Sequence, residues 1–538
     1  MKSKYILLFI LIIASFLRLY QLGTIPGSLN QDEAALGYNA YALLKTGADE
    51  HGRFLPLALQ SFGDWKLPVY SVITIPFIAL FGLTEQAVRL PSALAGILGT
   101  FLIFKITGLL FKEKKTALIA AFLFAVSPWS IYFSRAAYEV NLATTLFLGG
   151  FYFVLLYLTK KKKSSKALIP TSILWGITLF TYHSFILFIP LCLIGMLLLF
   201  YKNLILDKWL IFFGVLISFF IVLSLITLNT SASNKISTLS ILNDPSVIYN
   251  RDGIFKGDKA NDSEFVKKIL YNKYTAVIYQ FGQNYVGAFS PSYLFDKGGE
   301  KLQHNLGYFG NFYLFDALLL LVGLLCLFWY HEKAILFLLP WFLIGPIPSA
   351  LTRDTPNTTR LFLLLPLAVI LMAYGVRKLM DVLYSKKLYK VFIGIAALLY
   401  TINIIYFLDG YFVHFNAERM RYWRYGNKQA VELATKYPTY NIIVRGPEDF
   451  HYIYFLFYTK YDPQMFRKEV QYYPLTSEGF LYVKSFGRFH FVNEIDYNKL
   501  KSHTIYVDSI DPQNSPHAIY LPSGEPFLGY TISEDDKK

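Results

Sequence analysis

The chain has 538 residues, of which 54% are hydrophobic, 18% aromatic and only 16% charged. So few polar side chains cannot cover a soluble globule of this length, which excludes an ordinary soluble enzyme and favours a membrane protein. The formal net charge of +15 does not indicate nucleic-acid binding, because the lysines and arginines stand in short clusters between apolar runs.

The first apolar run extends from Tyr5 to Tyr20 and follows Lys2 and Lys4. It is the first of about a dozen apolar runs, and crossing a bilayer takes about 20 such residues. A cleaved signal peptide is the alternative, but the run ends with Arg18 and Tyr20, no small-residue cleavage site is present and further spans follow. With the two lysines in the cytoplasm, the first span carries the chain to the outer face.

The next apolar run, Leu67 to Phe81, contains Pro68 and Pro76. At about 1.5 Å per residue it is too short for about 30 Å of hydrocarbon. We therefore expect an interfacial or re-entrant helix on the outer face, followed by the second span at Val88 to Phe111.

This choice leaves the basic clusters between later spans in the cytoplasm, as the positive-inside rule requires. The clusters are Lys112 with Lys114 and Lys115, Lys160 to Lys163 with Lys166, Lys202 with Lys208, Lys333, and Arg377 to Lys390. Placing every basic cluster in the cytoplasm predicts about eleven spans. Three stretches then lie outside: Gln21 to Leu67, about Asn229 to Asn311, and 409–538.

The last of these stretches has no long apolar run. It contains short strand-like and helix-like segments separated by Pro and Gly. The segments are Tyr440 to Val444, Phe480 to Val483 and Thr504 to Val507 as strands, and Phe450 to Tyr458 as a helix. We expect a membrane domain of residues 1–408 and a small extracytoplasmic α/β domain of residues 409–538. Both cysteines, Cys192 and Cys326, fall in predicted spans, so neither a disulfide nor a thiolate metal site is indicated.

Two adjacent acids, Asp32 and Glu33, follow the first span and precede an apolar helix. Acids at a helix N-terminus offset the positive end of the dipole, which is a sufficient structural reason for them. A carboxylate at the membrane surface is also where a general base would be needed to deprotonate an acceptor hydroxyl. These residues alone leave both interpretations open.

Further charged residues recur at the predicted outer face. Asp64 and Lys66 stand where the chain returns to the interface, and a lysine there either extends towards water or holds a phosphate. Arg135 and Glu139 have the i, i+4 spacing of one helix face, which suits a structural ion pair or a site at the membrane boundary.

Two later turns carry further candidates. His183 lies at the outer turn between spans five and six, where a lone histidine more commonly has a hydrogen-bonding role. Arg353 and Arg360 occupy a very short outer loop, where the positive-inside rule does not expect them. Phosphate binding by a guanidinium would explain that placement.

Taken together, these segments resemble the membrane glycosyltransferases of the C superfamily (GT-C), the branch of protein O-mannosyltransferases and the aminoarabinose transferase of lipid A. The resemblance covers most of the membrane part and depends on order and spacing. Its segments are Asp32-Glu33, Gly63-Asp64-Trp65-Lys66-Leu67-Pro68, Arg89-Leu90-Pro91-Ser92, and Ser134-Arg135 with Glu139. Two segments depart from the family: Lys-Leu-Pro replaces Lys-Pro-Pro, and Pro356 to Arg360 matches the late outer-loop motif only loosely.

The resemblance implies an α-helical polytopic fold with outer-face interfacial helices, and inverting transfer of a sugar from a polyprenyl phosphate to an acceptor hydroxyl. Asp32 corresponds to the family's catalytic base and Glu139 to its second outer-loop carboxylate. The predicted catalytic residues are Asp32, Glu33 and Glu139, and the predicted substrate-binding residues are Asp64, Lys66, Arg135, His183 and Arg360. Some relatives bind a divalent cation, but no spacing here identifies metal ligands, so the metal question stays open.

The implied donor is an undecaprenyl or dolichyl phosphate sugar, and the absence of a recognisable nucleotide-binding loop agrees. The acceptor is open among protein, lipid and polysaccharide, and nucleic acid is not expected. The alternatives are a lipid or sugar transporter or flippase, which would tend to show inverted repeats, and an O-antigen ligase or polymerase, which would depend on arginines and a histidine in a large outer loop. We expect a multi-pass protein of the plasma membrane with its site outside.

Overall fold

The computed structural model describes residues 2–159, 166, 168–200, 206–228, 240–247, 272–330, 332–385, 387–476 and 479–534. The chain forms two compact units, each assembled from three segments. The first unit comprises Met1–Ala14, Gly96–Tyr132 and Ala143–Phe407, and the second comprises Ser15–Ala95, Phe133–Leu142 and Leu408–Lys538. The C-terminal segment therefore belongs to the same unit as the first predicted outer loop.

Helices form most of the described chain. In chain order they are α1 (Lys2–Leu19), α2 (Gln31–Thr46), α3 (Val69–Phe81), α4 (Glu85–Phe111), α5 (Lys114–Val126), α6 (Pro128–Ser134), α7 (Glu139–Thr159), α8 (Leu168–Leu179), α9 (Ser184–Phe200), α10 (Leu206–Leu228), α11 (Lys273–Gly287), α12 (Asp316–Trp329), α13 (Ile335–Ile344), α14 (Ile347–Ala350), α15 (Thr358–Leu361), α16 (Leu365–Ser385), α17 (Tyr389–Asp409), α18 (Phe415–Arg419), α19 (Gly426–Lys436), α20 (Tyr452–Tyr458) and α21 (Pro463–Glu469).

Several of these helices are apolar enough to span a bilayer. Within the described residues, four stretches combine sufficient length with an apolar composition: Glu85–Phe111, Glu139–Thr159, Thr358–Tyr384 and Tyr389–Arg419. The pair α5 and α6, bent by 57°, adds a fifth if it forms one span, and shorter apolar helices of 10–17 residues accompany them. The chain is thus an integral membrane protein, while the number of eleven spans stays a prediction.

Individual predicted helices can be compared with the structure. The second predicted span corresponds to α4, which starts three residues before Val88. The helix α3 has 13 residues, about 20 Å at 1.5 Å per residue, which is shorter than the hydrocarbon core. Of the predicted outer loop 229–311, residues 229–239 and 248–271 lie outside the described part, and α11 occupies another portion.

The first unit has an aromatic core. The ring of Phe147 lies 5.5 Å from that of Trp175 and 5.1 Å from that of Trp341. Both indole N–H groups donate to main-chain carbonyls, Trp175 to Phe147 and Trp341 to Leu363, each at 3.0 Å. These two buried tryptophans therefore keep their polar atom satisfied while filling the space between helices.

The second unit contains a two-stranded hairpin, β1 (Leu59–Ser61) and β2 (Asp64–Lys66), and a seven-stranded sheet. The sheet has the order β4-β5-β6-β3-β7-β9-β8, in which β3 is parallel to both neighbours and the remaining pairs are antiparallel. Its strands are β3 (Asn441–Arg445), β4 (Gln471–Tyr472), β5 (Val483–Phe486), β6 (Phe489–Val492), β7 (Thr504–Asp508), β8 (His517–Tyr520) and β9 (Pro526–Ser533).

The sheet agrees with the α/β architecture predicted for the C-terminal segment. The strands predicted at Tyr440 and Thr504 correspond to β3 and β7, and the predicted helix corresponds to α20. The strand predicted from Phe480 to Val483 is wrong except for its last residue. The reason is that the N–H of Leu481 donates to the carbonyl of Phe62 at 3.1 Å, outside the sheet.

Candidate active site

Asp32 and Lys66 meet in the second unit. Asp32 lies in the first turn of α2 with 54% of its side chain exposed, and Lys66 is the last residue of β2 and is buried. The Lys66 Nζ atom lies 2.9 Å from Asp32 Oδ1 and 5.0 Å from the centre of the Phe62 ring. An exposed carboxylate can accept a proton from a substrate. An ammonium group beside it can stabilise negative charge on the same substrate.

Glu33 has a different environment, although it is the next residue. Its side chain is 1% exposed. Together with Asn30 it forms a capping box, in which Glu33 Oε2 accepts from the N–H of Asn30 at 3.1 Å. Glu33 Oε1 accepts from Arg89 Nε at 3.0 Å and from the N–H of Ala137 at 2.8 Å. Both oxygens are thus engaged in holding the fold together.

Arg89 completes this buried arrangement. Its two terminal nitrogens donate to three main-chain carbonyls of the loop between α1 and α2: Leu22 at 3.1 Å, Pro26 at 2.7 Å and Ser28 at 2.6 Å. The loop that delivers Asp32 to the surface is therefore fixed by a guanidinium that Glu33 neutralises.

Arg135 also binds this loop, together with the last turn of α1 before it. It is buried and donates to the carbonyls of Leu17 at 3.0 Å, Gln21 at 3.3 Å and Ile25 at 3.0 Å. Its guanidinium also lies 4.6 Å from the centre of the Phe412 ring. These contacts give Arg135 a structural role, and the phosphate contact predicted from the sequence stays a prediction.

The expectation that Arg135 and Glu139 share a helix face is wrong. The helix α6 ends at Ser134 and α7 begins at Glu139, with a turn between them. The turn forms because the N–H of Ala137, which would continue the helix, donates instead to Glu33. Glu139 is partly buried at the start of α7.

For Asp64, the structure describes the main chain only. The residue begins β2 and is paired with Ser61 of β1. Its side chain lies outside the described part, so its predicted role in substrate binding stays a prediction.

Arg360 and His183 belong to the first unit. Arg360 lies in α15 and donates to Asp354 Oδ1 and, at 3.1 Å, to Thr352 Oγ1. Lys301 also contacts Asp354, at 2.9 Å. Burial alone would raise the pKa of Asp354, but these two cations lower it to about 2. His183 is exposed at the break between α8 and α9.

Sequence inspection missed a buried polar group in the second unit. Glu50 is fully buried and bonded to Asn39, Ser61 and Tyr452. The signal available was the polar run Asp49-Glu50-His51 in a loop otherwise assigned to the outer surface. Within the described residues, no three His, Cys, Asp or Glu side chains lie close enough to hold a metal ion.

Comparisons with known proteins found a family model and solved structures that are similar to this chain. The family model described as dolichyl-phosphate-mannose-protein mannosyltransferase matches residues 66–227. The structure of ArnT from Cupriavidus metallidurans bound to undecaprenyl phosphate superposes with a TM-score of 0.51 at 12% identity, covering 98% of this chain and 99% of that one. The archaeal oligosaccharyltransferase AglB from Archaeoglobus fulgidus, in complex with an inhibitory peptide and a dolichol-phosphate, gives a TM-score of 0.48 at 12% identity over 85% of this chain and 63% of that one. No curated protein sequence matches the chain.

The likeness to ArnT establishes the fold. The prediction that this chain has the fold of the C-superfamily membrane glycosyltransferases is therefore confirmed.

Proposed function

We propose that this protein is an inverting glycosyltransferase that moves a sugar from a polyprenyl phosphate to an acceptor hydroxyl at the extracytoplasmic membrane face. The observation that carries the proposal is the exposed Asp32 carboxylate 2.9 Å from the buried Lys66 ammonium. The fold supports it, because the ArnT structure that shares this fold was solved with undecaprenyl phosphate bound.

In the proposed reaction, Asp32 takes the proton from the acceptor hydroxyl as that oxygen forms a bond to the anomeric carbon. The bond between this carbon and the phosphate oxygen breaks, and polyprenyl phosphate leaves with the bonding electrons. Lys66 stabilises the negative charge that gathers on the departing phosphate, which is the kind of preorganised electrostatic contribution that lowers barriers most.

The other predicted residues have less direct roles in the proposal. Arg135 and Glu33 hold the loop and the helix that carry Asp32, as their hydrogen bonds suggest. Glu139 is proposed to orient the base or the acceptor, and Arg360 stays a candidate substrate-binding residue. His183 and Asp64 stay candidate substrate-binding residues.

The test is donor consumption by the purified protein, with a panel of polyprenyl phosphate sugars and candidate acceptors. The parent protein is expected to release polyprenyl phosphate from at least one donor, and Asp32→Asn is expected to lose about 10²–10⁴-fold in turnover, the range of a general base. The matched control is Asp381→Asn, since Asp381 is also half-exposed and paired with a cation, Arg377. Consumption of no donor would reject the transferase and favour a transporter, whereas an active Asp32→Asn would reject only the base.

A further inference from the structure

Glu50 is a fully buried carboxylate between α2 and the β1–β2 hairpin. Its Oε2 atom accepts from Asn39 Nδ2 and from Ser61 Oγ, both at 3.1 Å, and its N–H donates to Asn39 Oδ1 at 3.0 Å. A buried carboxylate is tolerated only where such partners replace its water. Here the partners come from two different elements, α2 and β1.

Those two elements are the ones that carry the proposed base and its lysine. Asn39 lies on α2, about two helical turns after Asp32. Ser61 ends β1 and pairs with the first residue of β2, whereas Lys66, the last residue of β2, pairs with Leu59. The Asn39–Glu50–Ser61 bonds therefore connect the helix of Asp32 to the hairpin of Lys66.

The C-terminal segment reaches the same group. Tyr452, the first residue of α20, donates its hydroxyl to Glu50 Oε1 at 2.9 Å. The hairpin residue Phe62 packs 4.6 Å from Phe450 and 5.8 Å from Tyr452, measured between ring centres. Lys66 Nζ lies 5.0 Å from the centre of the Phe62 ring. The lysine therefore contacts a side chain that packs against the C-terminal segment.

The turn of the hairpin is equally close to that segment. Gly63 has a φ of +83°, and a Cβ atom there would lie 2.2 Å from the carbonyl oxygen of Gly479. Only a glycine permits this approach of two main chains. The end of the hairpin at the turn is thus held at three neighbouring residues: Ser61 by Glu50, Phe62 by its ring contacts, and Gly63 by the main chain of Gly479.

We infer that Glu50 is a positioning residue through which the C-terminal segment holds Lys66 beside Asp32. The inference rests on the proposed function for its catalytic consequence, since Lys66 is there assigned to the departing phosphate. It gives the C-terminal segment a part in the chemistry of the second unit.

Two substitutions separate geometry from charge. Glu50→Ala removes the connection and is expected to lower kcat about 10–100-fold with little change in the donor KM, because a displacement of about 1 Å near the chemistry can cost 10²-fold. Glu50→Gln is expected to stay within a few-fold of the parent, since its amide oxygen can accept from Asn39 and Ser61 while its NH₂ group donates to Tyr452. In a Lys66→Ala background, Glu50→Ala should add no further loss.

A second readout does not depend on turnover. Lys66 is buried, so a small amine reagent such as acetic anhydride should label it slowly, as followed by mass spectrometry. Labelling of Lys66 should rise several-fold in Glu50→Ala and less in Tyr452→Phe, which loses only the hydroxyl, but not in Glu50→Gln. The exposed Lys499 is the internal reference. Glu85→Gln, which loses an ion pair to Lys428 elsewhere in the same unit, is the matched control.

The outcomes separate this inference from the proposed function. Unchanged labelling of Lys66 in Glu50→Ala, or in Tyr452→Phe if the alanine variant does not fold, would overturn the positioning role whether or not the parent consumes donor. Equal losses of turnover in Glu50→Gln and Glu50→Ala would also overturn it, because the charge and not the geometry would then matter. A parent without turnover but with the expected labelling pattern would reject the transferase and keep the positioning role.

Discussion

Asp32 and Glu33 are adjacent in sequence, yet only one of them is open to a substrate. Their environments differ because of Arg89, which lies 56 positions after Glu33 in the chain and binds the Glu33 carboxylate in the protein interior. A helix exposes successive residues about 100° apart, so the second acid turns inward as the first turns outward. One helix start thus produces both an exposed carboxylate and a buried structural one.

Because Glu33 is buried and Asp32 is exposed, replacing each by its amide should lower the free energy of unfolding by different amounts. Glu33→Gln should lower the free energy of unfolding by about 3–5 kcal/mol, because Arg89 would be left as a buried charge without its counterion. Asp32→Asn should cost less, about 1–2 kcal/mol, because the buried Lys66 also loses its counterion but the Asp32 side chain is half-exposed and water reaches that pair. Thermal unfolding of the detergent-purified variants gives both values, and equal effects would contradict this difference.

The sequence predicted that both acids lie at a helix start, but not which of the two is buried. The position of Asp32-Glu33 directly after the first span predicted a helix start, and the capping box of Asn30 agrees with that prediction. The choice between the two carboxylates depends on Arg89 and Ala137, and contacts at such separation leave no local pattern. The burial of Glu50 was hidden for the same reason, because its partner Tyr452 is about 400 residues away.

A buried histidine in the C-terminal segment makes stability depend on pH. His451 is 2% exposed, and burial lowers its pKa from 6.5 to about 4, although Asp449 opposes and Arg424 assists this shift. Between these values the unfolded chain binds a proton that the folded chain does not bind. Stability is therefore complete above about pH 6.5 and falls as the pH falls towards 4.

We expect the titration of His451 to lower the free energy of unfolding of the parent by about 2 kcal/mol between pH 7.5 and pH 5. The measurement is the difference in melting temperature between these pH values for the parent and for His451→Phe, which cannot titrate. The comparison is needed because burial also lowers the pKa of His490. Identical pH dependence in the two proteins would show that His451 does not contribute.

At the scale of elements, apolar runs predicted helices well and helix ends poorly. The second predicted span begins within three residues of α4. The break between α6 and α7 was not predicted, because it is caused by a distant carboxylate that captures the N–H of Ala137. Similarly, Leu481 lies outside the sheet although a strand was predicted there, because its N–H donates to the carbonyl of Phe62. Tertiary hydrogen bonds overrode local propensity in both places.

The contact between α12 and α16 gives a prediction at this scale. A Cβ atom on Gly323 would lie 2.1 Å from the carbonyl oxygen of Leu371, and one on Gly375 would lie 2.6 Å from the nitrogen of Gly323. Small residues let membrane helices approach closely. Gly323→Ala should therefore destabilise the protein by about 1–3 kcal/mol through overpacking.

The matched control for this contact is Gly394→Ala in α17. A Cβ atom there meets nothing within 4 Å, so the substitution should be neutral or slightly stabilising. Thermal unfolding in detergent measures both variants. A neutral Gly323→Ala would mean that the two helices can separate without cost.

At the scale of the whole molecule, a compact unit is built from segments that the sequence assigns to different regions. The first outer loop and the C-terminal segment were predicted as separate extracytoplasmic parts, and composition gives no sign that they pack together. The structure joins them at several points. The Tyr38 hydroxyl donates to the carbonyl of Tyr461 at 3.0 Å, and the N–H of Gly27 donates to Asn416 Oδ1 at 2.9 Å.

This joint packing predicts the result of removing the C-terminal segment. A chain that ends at Leu408 should lose donor consumption and melt at a lower temperature, because Glu50 would lose Tyr452, and Gly37 of α2 would lose the buried ring of Phe457 that packs on it. A chain that ends at Glu534 keeps every described residue and should behave like the parent. Full donor consumption by the chain of residues 1–408 would mean that the sheet serves the acceptor or a partner and that α2 and the hairpin keep their geometry without it.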